Sequence, residues 1–391
     1  MQSALEGMVV LDLSSYLAGP YGGALLGDVG ATVIKVEAPE GDMMRRYPST
    51  LEGENRAVLG ANRNKRSIRL DLKNQDGRTA FHRMVEQADV VLHNFRPGVP
   101  KSLGIDYDTL RAVRPDLVYC SLTGYGESPD GPLRNHPGYD QMLQCFAGLA
   151  AAQGEAAGVP AVLRGSIVDF FTSTLLAFGV TSAIVHRLRT GEGQHVEISL
   201  LRSAIALQVG RFISADNEPW DTPKEPDSGR VANAIPTKEG YLYFQATTPK
   251  FWTALCEIIG LPELARDPQY DTLRKRGEHS AVLMPQIRQA LMAKPAIEWE
   301  QLMQGRVPGV AVRSVSQMFD HPQVLAEGLV TELEHPVVGK YKTMTTAVKM
   351  GSGEVQTTRS PLLGEHTDEV LRSFGFDEAD VGRLRAGKAV L

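Results

Sequence analysis

Apolar positions in the first third of the chain fall into short compact runs separated by stretches with a helical period. The runs "MVVLDL" (8–13), "ATVIKVE" (31–37) and "RSIRLDL" (66–72) predict strands. Between the first two, "AGPYGGALLGDVG" predicts a helix, because Pro20 suits a first helical turn and Gly30 suits the exit. The chain therefore begins with a βαβ unit.

The same alternation continues for about 125 residues. "DGRTAFHRMVEQAD" (76–89) has its apolar residues on one helical face, "VVLH" (90–93) predicts a buried strand, and "DLVYCSL" (116–122) predicts another. Alternating strands and helices favour an α/β fold with a mostly parallel sheet covered by helices on both faces.

The most apolar helix is predicted from Asp169 to about Arg189. Apolar residues recur at every fourth position in Leu176, Val180, Ile184 and Leu188. The uncharged stretch after Asp169 has sixteen residues, five of them hydroxyl residues. It is shorter than the roughly 20 residues that a membrane span needs. We interpret it as a buried helix of a soluble protein and expect no membrane partner.

Composition changes after this helix. "SADNEPWDTPKEPDSGR" (214–230) is rich in proline and acidic residues, and the stretch from 239 to 304 reads as one hairpin followed by several helices. After residue 330 short strands return, and Thr367 begins a helix that Gly375 can end. We predict a large domain over 1–212, a linker over 213–236, a small α+β domain over 237–325, and a return segment over 326–391.

Charge and cysteine content narrow the classes of function. The 391 residues carry a net charge of −5 without a lysine–arginine block, so no nucleic-acid partner is expected. Cys120, Cys145 and Cys256 are too scattered for zinc or for a disulfide framework, which fits a reducing compartment. No basic region followed by a long apolar stretch occurs at the N-terminus, so we expect a cytoplasmic protein.

Several catalytic motifs are missing from the sequence. The turn "LAGPYGG" does not match the G-x-G-x-x-G fingerprint, so a nicotinamide cofactor is not expected, although Glu37 stands where a ribose-binding acid would. No P-loop, G-x-S-x-G elbow or H-E-x-x-H pair occurs. His195 and Glu197 lie two residues apart on a predicted strand, which alone does not support a metal site. A Ser-His-Asp triad stays open, because triads are assembled from distant residues.

Carboxylate chemistry remains, and Asp169 is its main candidate. One interpretation makes Asp169 the N-cap of the long helix, since aspartate accepts hydrogen bonds from free N–H groups there. The other makes it a covalent nucleophile that the helix dipole keeps ionised, beside N–H groups that could stabilise an oxyanion. One residue can do both.

Six blocks in order over residues 9–371 resemble class III coenzyme A transferases, the formyl-CoA, carnitine-CoA and succinyl-CoA-type enzymes. These blocks are "VLDLSSYLAGPYGGALLGDVGATVIKVEAPEGD", "NKRSIRLDLK", "ADVVLHNFRPGV", "HPGYDQMLQ", "IVDFFTSTLLAFGVTSAIVHRLRTGEGQ" and "PLLGEHTDEVL". The resemblance implies a Rossmann-like large domain built from both chain ends, a smaller inserted domain, and a homodimer of interlocked subunits.

The resemblance also implies residue roles. Asp169 matches the family's nucleophilic aspartate. The coenzyme A site carries over to Tyr16, Leu17, Ala18, Leu70, Asp71, Leu72, Lys73, Asn94, Phe95 and Arg96. Available cations for its phosphates are Arg63, Lys65, Arg66, Arg96 and Lys101. Tyr139 and Asp140 match pocket residues of relatives or form a structural helix start, and Arg164 could pair a second carboxylate of the substrate.

Two departures from the family matter. Ala38 and Pro39 stand where some members have a basic residue after the second strand, and "EPDSGRVANAIP" (225–236) lacks the glycine run that closes over the aspartate in formyl-type members. Formyl or oxalyl specificity is therefore not expected.

The expected function is transfer of coenzyme A from a donor such as succinyl-CoA to a small, dicarboxylic acid, through aspartyl anhydride and aspartyl-CoA thioester intermediates. One alternative is an α-methylacyl-CoA racemase-type epimerase, whose histidine would stand at Tyr139, with His136 three residues earlier. A second is a non-catalytic acyl-CoA-binding module, which the retained Asp169 disfavours. An unrelated Rossmann oxidoreductase is a third.

Overall fold

The computed structural model describes residues 3–154, 158–218, 234–351 and 355–391. The chain forms two compact units, one of Met1–Val209 with Pro322–Leu391 and one of Gly210–His321. Residues 219–233, the greater part of the predicted linker, lie outside the described residues.

Strands and helices are numbered along the chain. The strands are β1 (Val9–Asp12), β2 (Thr32–Glu37), β3 (Lys65–Arg69), β4 (Val90–His93), β5 (Val118–Thr123), β6 (His195–Ser199), β7 (Ile235–Pro236), β8 (Tyr241–Phe244), β9 (Gly309–Ala311), β10 (Val330–His335) and β11 (Gly339–Met344). The helices are α1 (Ala18–Asp28), α2 (Arg56–Ala61), α3 (Gln75–Val85), α4 (Val99–Leu103), α5 (Tyr107–Val113), α6 (Asp140–Phe146), α7 (Leu149–Gly154), α8 (Ile167–Thr190), α9 (Leu200–Ala206), α10 (Pro249–Ile258), α11 (Leu273–Glu278), α12 (Ser280–Leu291), α13 (Ala296–Met303), α14 (Val315–Met318), α15 (Pro322–Ala326), α16 (Thr367–Ser373) and α17 (Glu378–Ala386). Short 3₁₀ helices span Met43–Arg46 and Pro262–Ala265.

Within the described residues, six parallel strands form the main sheet of the first unit, in the order β3-β2-β1-β4-β5-β6. Leu11 at the centre pairs with Ile34 on one side and Val91 on the other. The parallel α/β architecture predicted from the sequence is confirmed. The strand order reverses between β1 and β4, and in such sheets ligands bind at the carboxyl ends of the strands beside this point.

Alternate residues of each strand face opposite sides of the sheet, and each side has its own apolar core. Leu11, Ile34 and Val91 pack with α3, α16 and α17 on one side. Val10 and Val33 pack with α1 and α8 on the other. This period of two is typical of a sheet covered by helices on both faces, and burial of each large aliphatic side chain contributes about 1.5–3 kcal/mol.

Helix α8 lies against α1 at close range. A Cβ added at Gly22 of α1 would lie 2.9 Å from Leu176 Cδ2, and one added at Gly179 would lie 2.9 Å from Val196 Cγ1 of β6. The close approach of α8 to α1 and to β6 therefore depends on these two glycines.

Helix α8 is also the one helix among the described residues that is long and apolar enough to cross a membrane, and 39% of its most apolar window is buried. The absence of a membrane partner stays a prediction.

The C-terminal residues attach to the edge strand β3. His366 N donates to Ser67 O at 2.9 Å, Asp71 N donates to Ala389 O at 2.9 Å, and Leu70 forms a bridge with Val390. The helix predicted at Thr367 is confirmed as α16, which Gly375 follows with φ of 79°. The segment covers backbone groups that an edge strand would otherwise leave open.

The second unit has a separate core. Strands β7, β8 and β9 form an antiparallel sheet, and Trp252, Leu255 and Trp299 pack beside it. The Arg276 guanidinium lies 4.8 Å from the centroid of the Trp252 ring. In this buried setting the cation–π contact and three backbone carbonyl acceptors hold the arginine.

Candidate active site

Asp169 lies in the first turn of α8 but does not cap it. The helix begins at Ile167, its N-cap position is Ser166 with φ of 50°, and Ser166 makes no side-chain capping bond. Asp169 is the third helical residue. The interpretation of Asp169 as the N-cap is therefore wrong.

The cap comes from another helix. Asp140, the first residue of α6 and only 2% exposed, accepts hydrogen bonds at Oδ2 from Val168 N at 2.7 Å and from Asp169 N at 3.0 Å. Asp140 Oδ1 accepts a further bond from the side-chain amide of Gln144. Gln144 in turn bonds both Leu163 N, at 2.8 Å, and Leu163 O, at 2.9 Å. This chain of bonds fixes the backbone that leads into α8.

The electrostatics at Asp169 follow from this arrangement. Burial, and secondly the negative charge of Asp140, raise the pKa of Asp169 to about 7. The expectation that the helix dipole keeps Asp169 ionised is wrong, because burial and the neighbouring Asp140 carboxylate disfavour the charged form. Near pH 7 the Asp169 carboxyl is about half ionised, and its ionised fraction rises with pH.

The loop after β1 reaches the same helix. Ser173, one turn beyond Asp169, donates to Ala18 O at 2.7 Å and to Asp169 O at 2.9 Å. Tyr16 has φ of 68°, a left-handed conformation that non-glycine residues seldom adopt. Ala18, the residue that follows Tyr16 and Leu17 and begins α1, is thus joined to the second turn of α8.

Aromatic rings lie beside this loop. The Tyr16 ring centroid lies 5.9 Å from that of Tyr139 and 6.0 Å from that of Tyr47, both edge to face. Tyr139 precedes α6 and is 45% exposed. The structure therefore brings together four of the residues singled out in the sequence, namely Asp169, Asp140, Tyr139 and Tyr16.

Asn94 connects the loops on either side of the point where the strand order reverses. Its Oδ1 accepts from Ser15 N at 2.9 Å, and its Nδ2 donates to Ser15 O at 2.7 Å. Phe95 follows, with its ring stacked on His93 at 5.4 Å, and Arg96 is exposed. These residues lie at the carboxyl end of β4, where a parallel sheet accepts ligands.

The "LDLK" segment lies just beyond β3. Leu70 and Leu72 are buried in the apolar core, while Asp71 Oδ1 accepts a hydrogen bond from Lys73 N at 2.8 Å. Lys73 is exposed, as is Lys101 in α4. The side chains of Leu70 and Leu72 therefore stabilise the fold, and within this segment only Lys73 offers an exposed cation.

Two of the cations considered for the coenzyme phosphates are already engaged. Arg63 Nε donates to Asp28 Oδ1 at 3.0 Å, and Lys65 Nζ lies 2.8 Å from Asp12 Oδ2, with all four side chains buried. Their interpretation as available phosphate ligands is wrong, since both positive charges are neutralised inside the protein. Arg66, Arg96 and Lys101 are exposed.

Arg69 of β3 lies next to Ala38 and Pro39, which follow β2. Its guanidinium donates to Pro39 O, and its Nε has no hydrogen-bond partner in the described part of the chain. Arg164 is exposed in the loop before α8. The greater part of the segment that lacks the glycine run, residues 225–233, lies outside the described residues.

Sequence reasoning missed three residues that shape this site, namely Lys35, Asp42 and Ser173. Lys35 has the clearest sequence signal, because it is a charge inside the apolar strand "VIKVE". Ser173 stands four residues after Asp169 on the same helical face. Asp42 has no comparable local signal, because its partners come from distant parts of the chain.

One possible metal-binding group occurs among the described residues. Ligand atoms of Glu127, His195 and Glu197 all lie within 4.8 Å of one another. His195 Nε2 is hydrogen-bonded to Ser121 Oγ at 2.7 Å, and Glu197 is exposed. Exposed acidic groups commonly come this close without an ion, so the absence of a metal stays a prediction.

Comparison with known proteins extends these observations to the whole chain. The model of CoA-transferase family III matches residues 5–367. The succinate–glutarate CoA-transferase of Agrobacterium fabrum is 32% identical over 385 residues, covering 94% of each chain. The succinyl-CoA:mesaconate CoA-transferase of Haloarcula marismortui is 32% identical and covers 96% of this chain and 97% of its own. A crystal structure of a CAIB/BAIF family protein from Brucella suis superimposes with a TM-score of 0.84 at 29% identity, covering 96% of this chain and 100% of that one. The parallel sheet, the half-buried Asp169 and these matches agree, and the chain belongs to CoA-transferase family III as a coenzyme A-transferring enzyme.

Proposed function

We propose that this enzyme moves coenzyme A from succinyl-CoA, or a similar donor, to a small dicarboxylic acid. Relatives named for succinate, glutarate and mesaconate support a dicarboxylic acceptor. The observation that carries the proposal is the half-buried Asp169 carboxyl with its raised pKa, which lies in the first turn of α8, one turn before the Ser173 that bonds to Ala18 at the start of α1.

In the first half-reaction the ionised Asp169 carboxylate attacks the thioester carbonyl of the donor. The carbon–sulfur bond breaks, coenzyme A leaves as the thiolate, and a mixed anhydride joins Asp169 to the donor acyl group. The thiolate then attacks the aspartyl carbonyl of the anhydride. This attack yields an aspartyl-CoA thioester and releases the donor acid as its carboxylate.

The second half-reaction runs the same steps in reverse with another acid. The acceptor carboxylate attacks the aspartyl thioester, the thiolate leaves, and a new anhydride forms. The thiolate attacks the acceptor carbonyl, which gives the new acyl-CoA and restores the Asp169 carboxylate. One thioester replaces another, so no nucleotide hydrolysis is needed, in agreement with the missing P-loop motif.

Asp140 has a positioning role in this scheme. It holds the first turn of α8 through Val168 N and Asp169 N, and its charge contributes to the raised pKa of Asp169. A poorly solvated carboxylate is a stronger nucleophile than one in water, because less hydration is lost on attack. As a consequence, Asp169 is protonated and not nucleophilic in part of the enzyme molecules near neutral pH.

For the coenzyme we propose the segments that the resemblance indicates. The backbone of Tyr16–Ala18 and of Leu70–Leu72 would contact it, and Phe95 offers a ring for adenine. Lys73, Arg96 and Lys101 are the exposed cations available to its phosphates. Asn94 would act on the coenzyme through Ser15 and the loop that Ser15 begins.

Arg164 is proposed to pair the distal carboxylate of the acceptor. Arg189 provides a control, since it is also exposed but lies in the last turn of α8, far along the chain from the loop that holds Arg164. Arg164→Gln should raise the KM of dicarboxylic acceptors about tenfold and leave monocarboxylic acceptors unchanged. Arg189→Gln should change neither; an equal effect of both substitutions would argue against the assignment.

We further propose a homodimer in the cytoplasm. Phe178, Val185 and Leu188 of α8 are exposed, at 69%, 53% and 68%, which is typical of a face that a second subunit covers. Light scattering at micromolar concentration tests the dimer, and a monomer would exclude it.

The cytoplasmic location is supported by the three free cysteines, Cys120, Cys145 and Cys256, which fit a reducing compartment.

The direct test is isotope exchange followed by trapping. Succinyl-CoA is incubated with labelled succinate, glutarate or mesaconate, and transfer requires label to enter the thioester pool. Hydroxylamine added during turnover should modify the peptide that contains Asp169. The same peptide of Asp140→Asn should still be modified, because that variant keeps the nucleophile.

Other outcomes identify the alternatives. Loss of deuterium from the α-carbon of a single acyl-CoA, without label exchange, would favour an epimerase. Coenzyme A binding without either reaction would favour a binding module.

A further inference from the structure

The loop that leads from β1 into α1, and the first turn of α1, are held by side chains from five other parts of the first unit. In the loop, Lys35 of β2 donates to Ser14 O, Asn94 after β4 bonds both Ser15 N and Ser15 O, and Asp42 accepts from Tyr16 N. In the first turn of α1, Ser173 of α8 donates to Ala18 O and Lys65 of β3 donates to Pro20 O. The conformation of this loop is therefore imposed from outside.

Asp42 is the member that acts on the strained residue. Its Oδ1 accepts hydrogen bonds from Tyr16 N at 3.1 Å and from Met44 N at 2.9 Å. Tyr16 has φ of 68°, and a non-glycine residue keeps such a conformation only where its surroundings enforce it. The bond to Asp42 restrains the backbone of Tyr16 at its own N–H group.

Lys35 of β2 links Asp42 to the backbone of the loop. Its Nζ donates to Asp42 Oδ2 at 2.9 Å and to Ser14 O at 2.8 Å, and its side chain is fully buried. The nearby carboxylates of Asp42, Asp12 and Glu37 outweigh the effect of burial and raise the pKa of Lys35, so it stays charged. A charge buried this completely remains in place only when it is paired on every side.

We propose that Asp42 and Lys35 are positioning residues, which set the conformation of Tyr16 and thereby the acyl-thioester binding loop beside Asp169. The kinetic part of this inference rests on the proposed function. Neither side chain is proposed to touch the substrate, since both are buried beneath the loop.

The test compares two buried ion pairs of the first unit. Asp42 accepts hydrogen bonds on both of its oxygens, from Tyr16 N and from Lys35 Nζ. Asparagine has only one side-chain oxygen, so in Asp42→Asn the NH₂ group would face one of these two donors and leave it unpaired. Lys35→Met added to Asp42→Asn removes that conflict and lets the amide oxygen accept from Tyr16 N. Asp28→Asn is the matched control, since it weakens the equally buried Arg63 pair at the far end of α1.

Asp42→Asn should raise the donor acyl-CoA KM about tenfold, and the double variant should recover part of that loss. Asp28→Asn should lower the unfolding temperature while its donor KM stays within about twofold of the parent. A parent-like KM in folded Asp42→Asn, or an equal rise in Asp28→Asn, would overturn the proposal.

Hydrogen–deuterium exchange provides a second measurement that needs no activity. The peptide covering residues 13–21 should exchange faster in Asp42→Asn than in the parent or in Asp28→Asn. Faster exchange in a protein that transfers no coenzyme A would retain the positioning role and reject the proposed function. Normal coenzyme A transfer by Asp42→Asn, with both its hydrogen–deuterium exchange and its donor KM unchanged, would retain the proposed function and reject the positioning role.

Discussion

The two ends of α8 are stabilised in opposite ways. At the C-terminal end, Gly191 adopts φ of 78° and its N–H bonds to Arg187 O at 2.7 Å, while Arg187 and Arg189 lie in the last turn, where the helix dipole favours cations. At the N-terminal end, Ser166 makes no capping bond, and Asp140 of α6 supplies the missing acceptor.

The difference shows where local sequence rules are sufficient. The capping of the C-terminal end is complete within a few residues of chain. The N-terminal end depends on a carboxylate 28 residues before Val168, and it places a second carboxylate, Asp169, beside the first. Departures from local rules are expected where chemistry is done, since a functional site must hold groups that stability alone would not select.

The largest expected effect comes from the N-terminal end. Asp169→Asn removes the proposed nucleophile and should lower the rate of coenzyme A transfer by roughly ten-thousandfold or more, measured by label exchange. A variant that transfers at the parental rate would exclude Asp169 as the acylated residue.

The same substitution should stabilise the protein. The unfolded pKa of Asp169 lies near 3.8 and its folded pKa near 7, so ionisation favours the unfolded state and stability falls as pH rises between these values. Asp169→Asn should therefore gain on the order of 2–4 kcal/mol at pH 8 and almost nothing at pH 4. Urea unfolding at the two pH values measures this gain.

The next effect is a shift in pH dependence. Asp140→Asn removes the negative charge beside Asp169 while its amide oxygen can still accept from Val168 N. The pKa of Asp169 should fall, and the acidic limb of kcat/KM for the donor, expected near pH 7, should move to lower pH by about one unit. If the acidic limb of kcat/KM does not move, burial alone would account for the raised pKa of Asp169.

At the other end of the helix, stability and activity should separate. Arg187 Nη2 lies 2.9 Å from Asp89 Oδ1 in a partly buried pair, and Arg114 also contacts Asp89. Arg187→Met should reduce the free energy of unfolding by about 2–3 kcal/mol, because Asp89 loses its most buried partner. Steady-state kinetics at 25 °C should stay within about twofold of the parent; a larger change would mean that the ends are coupled.

The smallest expected effect is at Gly191. An added Cβ would meet no atom within 4 Å, so the cost of Gly191→Ala comes only from its left-handed backbone and should be about 1 kcal/mol. Gly382→Ala in α17 is the control. It also has open space but ordinary helical φ, so it should stabilise by about 0.5–1 kcal/mol. Thermal unfolding of both variants checks the opposite signs.

Much of the first unit was readable from the pattern of apolar residues. The strand predicted over 90–93 matches β4, and those over 8–13 and 31–37 match β1 and β2 within one residue at either end. Buried parallel strands are continuous apolar runs, and few other elements produce such runs. The start of α8 was placed two residues late because its cap is not local.

The sequence identified several residues of the candidate site, but it did not indicate which side chains they bond to in the folded protein. Asp169, Asp140, Tyr139 and Tyr16 could be singled out by resemblance, and the structure brings them together. Arg63 and Lys65 looked like free cations, yet both are buried in ion pairs. Whether a cation is free depends on which carboxylate folds against it, and Asp28 and Asp12 lie 35 and 53 residues away.

The order of strands and helices along the chain, the apolar faces of the sheet and the family could be derived from the amino-acid sequence, because periodicity and motif order are properties of the chain itself. The folded structure was needed to identify the carboxylate that caps α8, the lysine that supports the loop at Tyr16, and the cause of the raised pKa of Asp169, which lies near 7. Burial and pairing of charge depend on contacts between distant segments, and no local pattern encodes them.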